Sequence, residues 1–296
     1  MTYVGRFAPS PTGPLHLGSI VTAIASFLHA RQAGGEWLVR IEDIDPPREV
    51  PGAADDILRT LEAFGLEWDR SVLYQSARQD VYRETAEELL ATGRAFRCNC
   101  SRSAVRAAND TVTGRYPGTC RDKHLAAPDT AIRLKVAEAS TIHFVDGLQG
   151  AQATRLDATT GDYIVLRRDR LPAYHLAVVL DDAAQGVTTV VRGVDLLDST
   201  AAHVHLQRTL GVPTPAYWHL PIVVNAEGQK LSKQTGAAAV SPGEVGVAVR
   251  ALELLGLTVP TELSAAPTPS LWQWAAANWR IESLRDRRAF AEPRKE

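Results

Sequence analysis

The first 92 residues alternate two periodicities, and this restricts the fold more than any other feature of the chain. Tyr3 to Ala8 is a short apolar run of strand type. Ser19 to Arg31 has the spacing of an apolar helix, with Ser19 near its N-cap and Gly34-Gly35 beyond its end. "EWLVRI" at 36–41 is a second strand. Residues 53–64 place Ile57, Leu58, Leu61 and Phe64 at helical spacing, and 77–92 form a charged amphipathic helix. Strand, helix, strand, helix is the order of an α/β protein with a parallel sheet.

The alternation stops at Cys98. From there to Pro172 the sequence is irregular and rich in Thr, Gly and Arg, with β-like runs at "AIRLKV", "IHFVDG" and "DYIVLRR", which reads as an inserted mixed domain. Apolar runs return in "AYHLAVVLDDAAQGVTTVVRG", followed by a helix at 199–210 and a strand, "HLPIVV", at 219–224. Residues 243–256 form another helix, "PTELSAAPTPS" is a linker, and Leu271 to Phe290 reads as a helix that packs through Trp272, Trp274 and Trp279. The expected organisation is a catalytic domain in two halves, 1–97 and 173–240, an insertion at 98–172, and a short helical region at 241–296.

Composition excludes several classes. A hydrophobic content of 45% with 22% charged residues is that of a soluble globular protein, and no apolar run is long enough to span a membrane. The start of the chain lacks the layout of a signal peptide, so a cytoplasmic location and no membrane partner are expected. A net charge of -2 argues against coating nucleic acid through bulk charge, leaving local tracks: Arg94, Arg97, Arg102, Arg106, Arg115 and Arg121, then Arg167, Arg168 and Arg170. The three cysteines, Cys98, Cys100 and Cys120, point to a metal site or free thiols rather than a disulfide framework.

Two stretches carry chemistry. "RFAPSPTGPLHLGS" at 6–19 feeds the first helix, whose N-terminal N–H groups attract phosphate; His16 adds a donor, and Gly18 removes a Cβ that would block a ligand's approach. No Walker-type or Gly-x-Gly-x-x-Gly run occurs. "NAEGQKLSKQTGA" at 225–237 places Lys230 and Lys233 on a loop that can close on a triphosphate and neutralise charge as pyrophosphate leaves. A fixed guanidinium suits a carboxylate ligand, and Arg6 and Arg192 are the candidates. Three thiolates need a fourth zinc ligand, for which His124 suits by chemistry.

His16-Leu17-Gly18-Ser19 and Lys230-Leu231-Ser232-Lys233-Gln234 resemble the two nucleotide signatures of class I aminoacyl-tRNA synthetases. Together with "RIEDIDPPR" at 40–48 and "VVRGVDLLDST" at 190–200, they resemble the glutamyl branch. Ser19 stands where the family's first signature ends in His, and Gln234 where the second ends in Ser. The resemblance covers roughly residues 3–256. Because only about 40 residues follow, too few for an anticodon-binding domain, the chain is similar to the truncated paralogues, the glutamyl-queuosine tRNA(Asp) synthetases.

The resemblance implies a Rossmann-like catalytic domain, a zinc-bearing insertion, and a monomer. It implies that L-glutamate is activated with ATP and Mg²⁺, without tRNA, and passed to the queuosine base in the anticodon of tRNA(Asp). A short enzyme charging the tRNA 3' end, a small-molecule nucleotidyltransferase and an idle RNA-binding paralogue are the alternatives. It places Arg6, Tyr174 and Arg192 on the γ-carboxylate and Ser10 and Glu42 on the α-amino group, with Phe7, Ala8 and Pro9 lining the pocket. ATP falls to His16, Gly18, Lys230 and Lys233, of which His16 and Lys233 stabilise the transition state, with Asp195 nearby. Asp43 and Asp45 fix their loop and Arg48. One structural Zn²⁺ falls to Cys98, Cys100, Tyr116 and Cys120, with Tyr116 preferred over His124. His175, His203, His205 and His219 receive no role.

Overall fold

The computed structural model of the chain describes residues 2–108, 115–231, 237–264 and 267–291. β1 (Val4–Phe7) leads through the Pro-rich loop into α1 (Leu17–Gln32), and β2 (Glu36–Ile41) returns parallel to β1, with Val4 opposite Glu36 and Phe7 opposite Val39. α2 (Ala53–Ala63) carries the chain to β3 (Leu73–Tyr74), which extends the sheet in parallel, and α3 (Gln79–Ala91) follows.

β4 (Ala95–Cys98), the short α4 (Arg102–Ala107) and β5 (Ala131–Leu134) begin the irregular region. The hairpin β6 (Thr141–Asp146) and β7 (Gly150–Arg155), α5 (Leu156–Thr159) and β8 (Tyr163–Leu166) complete it. β4, β5 and β8 form a three-stranded antiparallel sheet. α6 (Tyr174–Gln185), β9 (Thr189–Gly193), α7 (Leu197–Leu210) and β10 (Ala216–Leu220) restore the βα alternation, with β10 parallel to β9. The hairpin packs on this second sheet rather than on the antiparallel one, because β6 runs parallel to β10 in the order β7-β6-β10-β9. β11 (Ile222–Val224), α8 (Val245–Leu254), α9 (Thr268–Asn278) and β12 (Ala289–Ala291) follow, with β12 parallel to β11.

The parallel three-stranded sheet and the mixed four-stranded sheet meet at β1 and β9, where the Thr188 N–H donates to Val4 O at 2.9 Å. From that line the chain builds outward in both directions, so the C-terminal ends of β1 and β9 flank a topological switch point, the position at which open α/β sheets bind ligands. Arg6 lies on β1 and Arg192 on β9. α1 is apolar around most of its circumference because it is enclosed by the sheet, α8 and α9; Ile20, Ile24, Ala25 and Leu28 are fully buried. Among the described residues no helix is long and apolar enough to cross a membrane.

Three sequence expectations shift. The first helix is capped by His16 rather than Ser19: the His16 Nδ1 accepts the Ser19 N–H at 3.3 Å, an imidazole serving where a hydroxyl or carboxylate is usual. "HLPIVV" is two strands, since Pro221 has no N–H for the ladder and the chain changes sheets there. The last helix ends at Asn278, and Trp279 turns extended so that its ring is fully buried; the remaining segment forms β12. Trp272 is buried as expected, while Trp274 is half-buried.

Candidate active site

Arg6 and Arg192 are both 4% exposed, and their surroundings differ in charge. The Arg6 Nε donates to Asp182 Oδ1 at 3.2 Å, and the same oxygen takes Nη1 of the fully buried Arg40 at 2.7 Å. Arg40 also approaches Glu42 at 3.4 Å. Two guanidiniums therefore face two carboxylates. Burial pushes the Asp182 carboxyl up, but Arg6 and Arg40 outweigh it and hold it below the usual range. Burial prevails at Glu42, whose carboxyl is raised despite Arg40 and Arg6.

Arg192 has no carboxylate within ion-pair distance among the described residues. Its donors go to neutral partners: Nη1 to the Tyr174 hydroxyl at 3.2 Å, Nη2 to Thr200 Oγ1 at 2.8 Å and Leu196 O at 3.2 Å, and Nε to His219 Nε2 at 3.0 Å. His219 in turn holds Asp146 Oδ2 through Nδ1 at 2.6 Å. Burial, and then Arg192, lower the His219 ring while Asp146 opposes them; the net direction is down, so the ring is neutral, donates from Nδ1 and accepts at Nε2. Buried Asp146 is still held below the usual carboxylate range by that ring. Asp146 thus reaches Arg192 through an imidazole. Burying a cation without a contacting counter-ion is expensive.

Tyr174 opens α6 and its hydroxyl, raised by burial, feels Arg192, Glu42, Arg6 and Asp182, so these groups form one neighbourhood. Pro9 O accepts the Glu42 N–H at 3.0 Å, which brings the loop after β1 beside Glu42. Ser10 is exposed there, whereas the Phe7 ring points into the core and stacks on Trp37. Asp45 binds Arg48 at 2.6 Å and Asp43 accepts the Ser76 N–H at 2.8 Å, so both fix their loop.

The two signature stretches meet in space. A Cβ on Gly18 would lie 3.2 Å from His16 Cε1 and 3.9 Å from Leu231 O, so Gly18 leaves room for the imidazole and for the second signature. Beyond that signature the chain returns to the first: Val240 N–H donates to Leu15 O at 3.0 Å and Ala239 bridges His16. Lys230 pairs with Asp195 at 2.5 Å, which puts Asp195 beside this face. Lys233, with Ser232 and Gln234, lies outside the described residues.

The sulfurs of Cys98, Cys100 and Cys120 lie within 4.8 Å of one another. The Tyr116 hydroxyl is 3.4 Å from Cys98 Sγ and 3.8 Å from Cys100 Sγ, and accepts the Cys120 N–H at 2.8 Å. A tetrahedron with bonds of about 2.3 Å to sulfur and about 2.0 Å to oxygen has edges of about 3.5 to 3.8 Å, so this donor set fits a closed zinc site. The exposed His124 is not part of it.

Sequence reasoning missed Asp146, Asp182, His203 and His219. His219 lies 3.0 Å from the Arg192 Nε and His203 Nδ1 lies 3.4 Å from its Nη1. The missed signal was the acidic pair in "LDDAA", which follows Tyr174 on one helix and so returns a carboxylate to the sheet.

A family model described as tRNA synthetases class I (E and Q), catalytic domain, matches residues 3–248. The Glutamyl-Q tRNA(Asp) synthetase of Aromatoleum aromaticum is 52% identical over 285 residues, covering 94% of this chain and 89% of the relative. That of Ectopseudomonas mendocina is 47% identical over 98% of this chain and 97% of its own. Among solved structures, a glutamate tRNA ligase from Elizabethkingia meningosepticum in complex with its amino acid is similar with a TM-score of 0.80 and 26% identity, over 98% of this chain and 67% of that one. These similarities lead to one conclusion: the chain belongs to the class I tRNA synthetase family of the glutamyl and glutaminyl type.

Proposed function

We propose that the chain activates L-glutamate with ATP, independently of tRNA, and transfers the glutamyl group to the queuosine base of tRNA(Asp). The observation that carries the glutamate assignment is Arg192, a buried guanidinium whose protein partners are all uncharged. A γ-carboxylate placed on Arg192 Nη1 and the Tyr174 hydroxyl supplies the missing anion through charge-assisted hydrogen bonds. Glutamine, lacking that charge, leaves the cation uncompensated. Arg6 adds positive potential from β1, and Glu42 beside Ser10 and Pro9 receives the α-ammonium. The curated relatives named above, covered over nearly their full length, support the acceptor assignment.

The chemistry follows from these positions. ATP enters as its Mg²⁺ complex. The α-carboxylate of glutamate, ionised at neutral pH, needs no general base; one of its oxygens bonds to the α-phosphorus while the bond to the bridging oxygen breaks and pyrophosphate departs. His16, Lys230 and Lys233 stabilise the charge on the phosphates, and Gly18 keeps the approach clear. A hydroxyl of the modified base then attacks the acyl carbon and AMP leaves.

In this reading residues 1–97 and 173–240 form the activating core, to whose second sheet the β6–β7 hairpin is added, the rest of 98–172 forms the insertion on the acceptor side, and 241–296 buttress the core. One structural Zn²⁺ is held by Cys98, Cys100, Tyr116 and Cys120, tying the loops of the insertion together. The test is glutamate-dependent ATP–pyrophosphate exchange without RNA, followed by transfer of labelled glutamate to queuosine-bearing tRNA(Asp) whose 3'-terminal CCA has been removed by a nuclease. Exchange with surviving transfer is expected. Exchange with transfer abolished assigns the 3' terminus instead, and absence of exchange overturns the reading.

A further inference from the structure

Some of the arginines that the sequence offers to RNA are neutralised in the fold. Arg97 and Arg170 share Glu87, and Arg167 sits on Asp45 and Asp169. One place differs. Arg94, Arg121, Lys135, His205 and Arg208 line an open groove of about 500 Å³ with no acidic side chain in its wall. The groove lies where α7 ends against the segments beside β4 and β5. From the start of α7, where Leu196 holds Arg192, to Arg208 the helix rises about 16 Å, so the groove is separate from the activation site.

Arg94 and Arg208 are oriented without being discharged. Arg94 donates to Thr209 O, Arg121 to Val136 O at 2.5 Å, and Arg208 to His143 O at 3.2 Å. A carbonyl fixes a guanidinium while leaving its charge and its remaining N–H groups available. The one carboxylate bound by these groups is Asp162, at 2.9 Å from Arg121, and Lys135 has no ion pair among the described residues. Four permanent cations therefore meet one carboxylate, in a chain whose net charge is -2.

We propose that this groove binds the phosphate backbone of the RNA substrate, as a positioning contact remote from adenylate formation. The proposal rests on the proposed function for its RNA, and on charge complementarity for its place. Fixed guanidinium forks suit phosphate oxygens, and such contacts position a nucleic acid without reading its sequence. An acidic protein segment is the competing occupant.

The test measures binding of tRNA(Asp) at several salt concentrations for the wild-type chain, for an Arg94→Gln, Lys135→Gln, Arg208→Gln triple variant, and for Lys135→Glu, which removes no internal hydrogen bond named above. Each lost phosphate contact lowers the slope of log affinity against log salt by about 0.7 to 0.9. The triple variant is expected to lose about two units of slope and at least tenfold in affinity, and Lys135→Glu at least threefold, with exchange within twofold of wild type in both. Unchanged slopes overturn the proposal, as does a loss of affinity for poly-glutamate equal to that for tRNA. Wild-type binding that lacks salt dependence also overturns it. If the wild-type chain shows no exchange while the slopes fall as stated, the proposed function fails and the groove stands.

Discussion

Asp146→Asn tests whether charge reaches Arg192 through His219. Oδ1 of Asp146 accepts three main-chain N–H groups, from Leu148 at 3.0 Å, Gln149 at 2.9 Å and His219 at 3.2 Å, while Oδ2 takes the imidazole at 2.6 Å. An asparagine keeps its oxygen on the three N–H groups, so its NH₂ must replace Oδ2. That group can only donate, so His219 is driven to the tautomer protonated at Nε2. Nε2–H then faces the Arg192 Nε–H at a distance of 3.0 Å, so two donors oppose each other and the hydrogen bond from Arg192 Nε is lost. The loss of one charge-assisted hydrogen bond is about 1.5 to 3 kcal/mol, or roughly 10- to 150-fold. In ATP–pyrophosphate exchange the expected result is a rise of that size in the KM for glutamate, with the KM for ATP within about twofold. An unchanged glutamate KM, or equal increases in both, refutes the relay.

Further outcomes follow from other contacts. Arg6→Ala should weaken glutamate binding far more than ATP binding in calorimetry, and equal losses would contradict its place on the amino-acid side. Gly18→Ala pushes a methyl to 3.2 Å from the His16 ring; exchange kcat should fall about tenfold while the melting temperature holds or rises, since alanine favours a helix by up to about 1 kcal/mol. Cys120→Ser should lose the zinc found by elemental analysis and lower the melting temperature by at least about 5 °C; full zinc retention contradicts the ligand set. Burial, with Arg192 adding to it, lowers His175 from 6.5 to about 4. The unfolded chain therefore binds the extra proton between those values, and stability present above pH 6.5 is lost on acidification toward pH 4, by roughly 3 kcal/mol. His175→Phe should flatten that part of the pH–stability curve, and an unaltered curve would rule out the assignment.

How far the site was legible in the sequence depended on distance along the chain. Arg6 and Arg192 could be singled out because a carboxylate ligand calls for a fixed guanidinium and the resemblance pointed to these two; the fold places them on β1 and β9, which flank one switch point. The helix boundary at His16 was misplaced because an imidazole cap competes poorly with the neighbouring serine on propensity alone. The break at Pro221 was written in the proline, but only the arrival of β12 shows why the strand changes sheets. Asp146 was not legible: it sits 73 residues before His219, in a stretch that looks like part of the insertion, and reaches the site only because β6 pairs with β10.

The most direct measurement is diffraction from crystals grown with a stable glutamyl-adenylate analogue. The γ-carboxylate should lie about 3 Å from Arg192 Nη1 and the Tyr174 hydroxyl, with the nucleotide between His16 and the 230–233 loop. A carboxylate bound elsewhere, leaving Arg192 with its present neutral partners, would contradict the account.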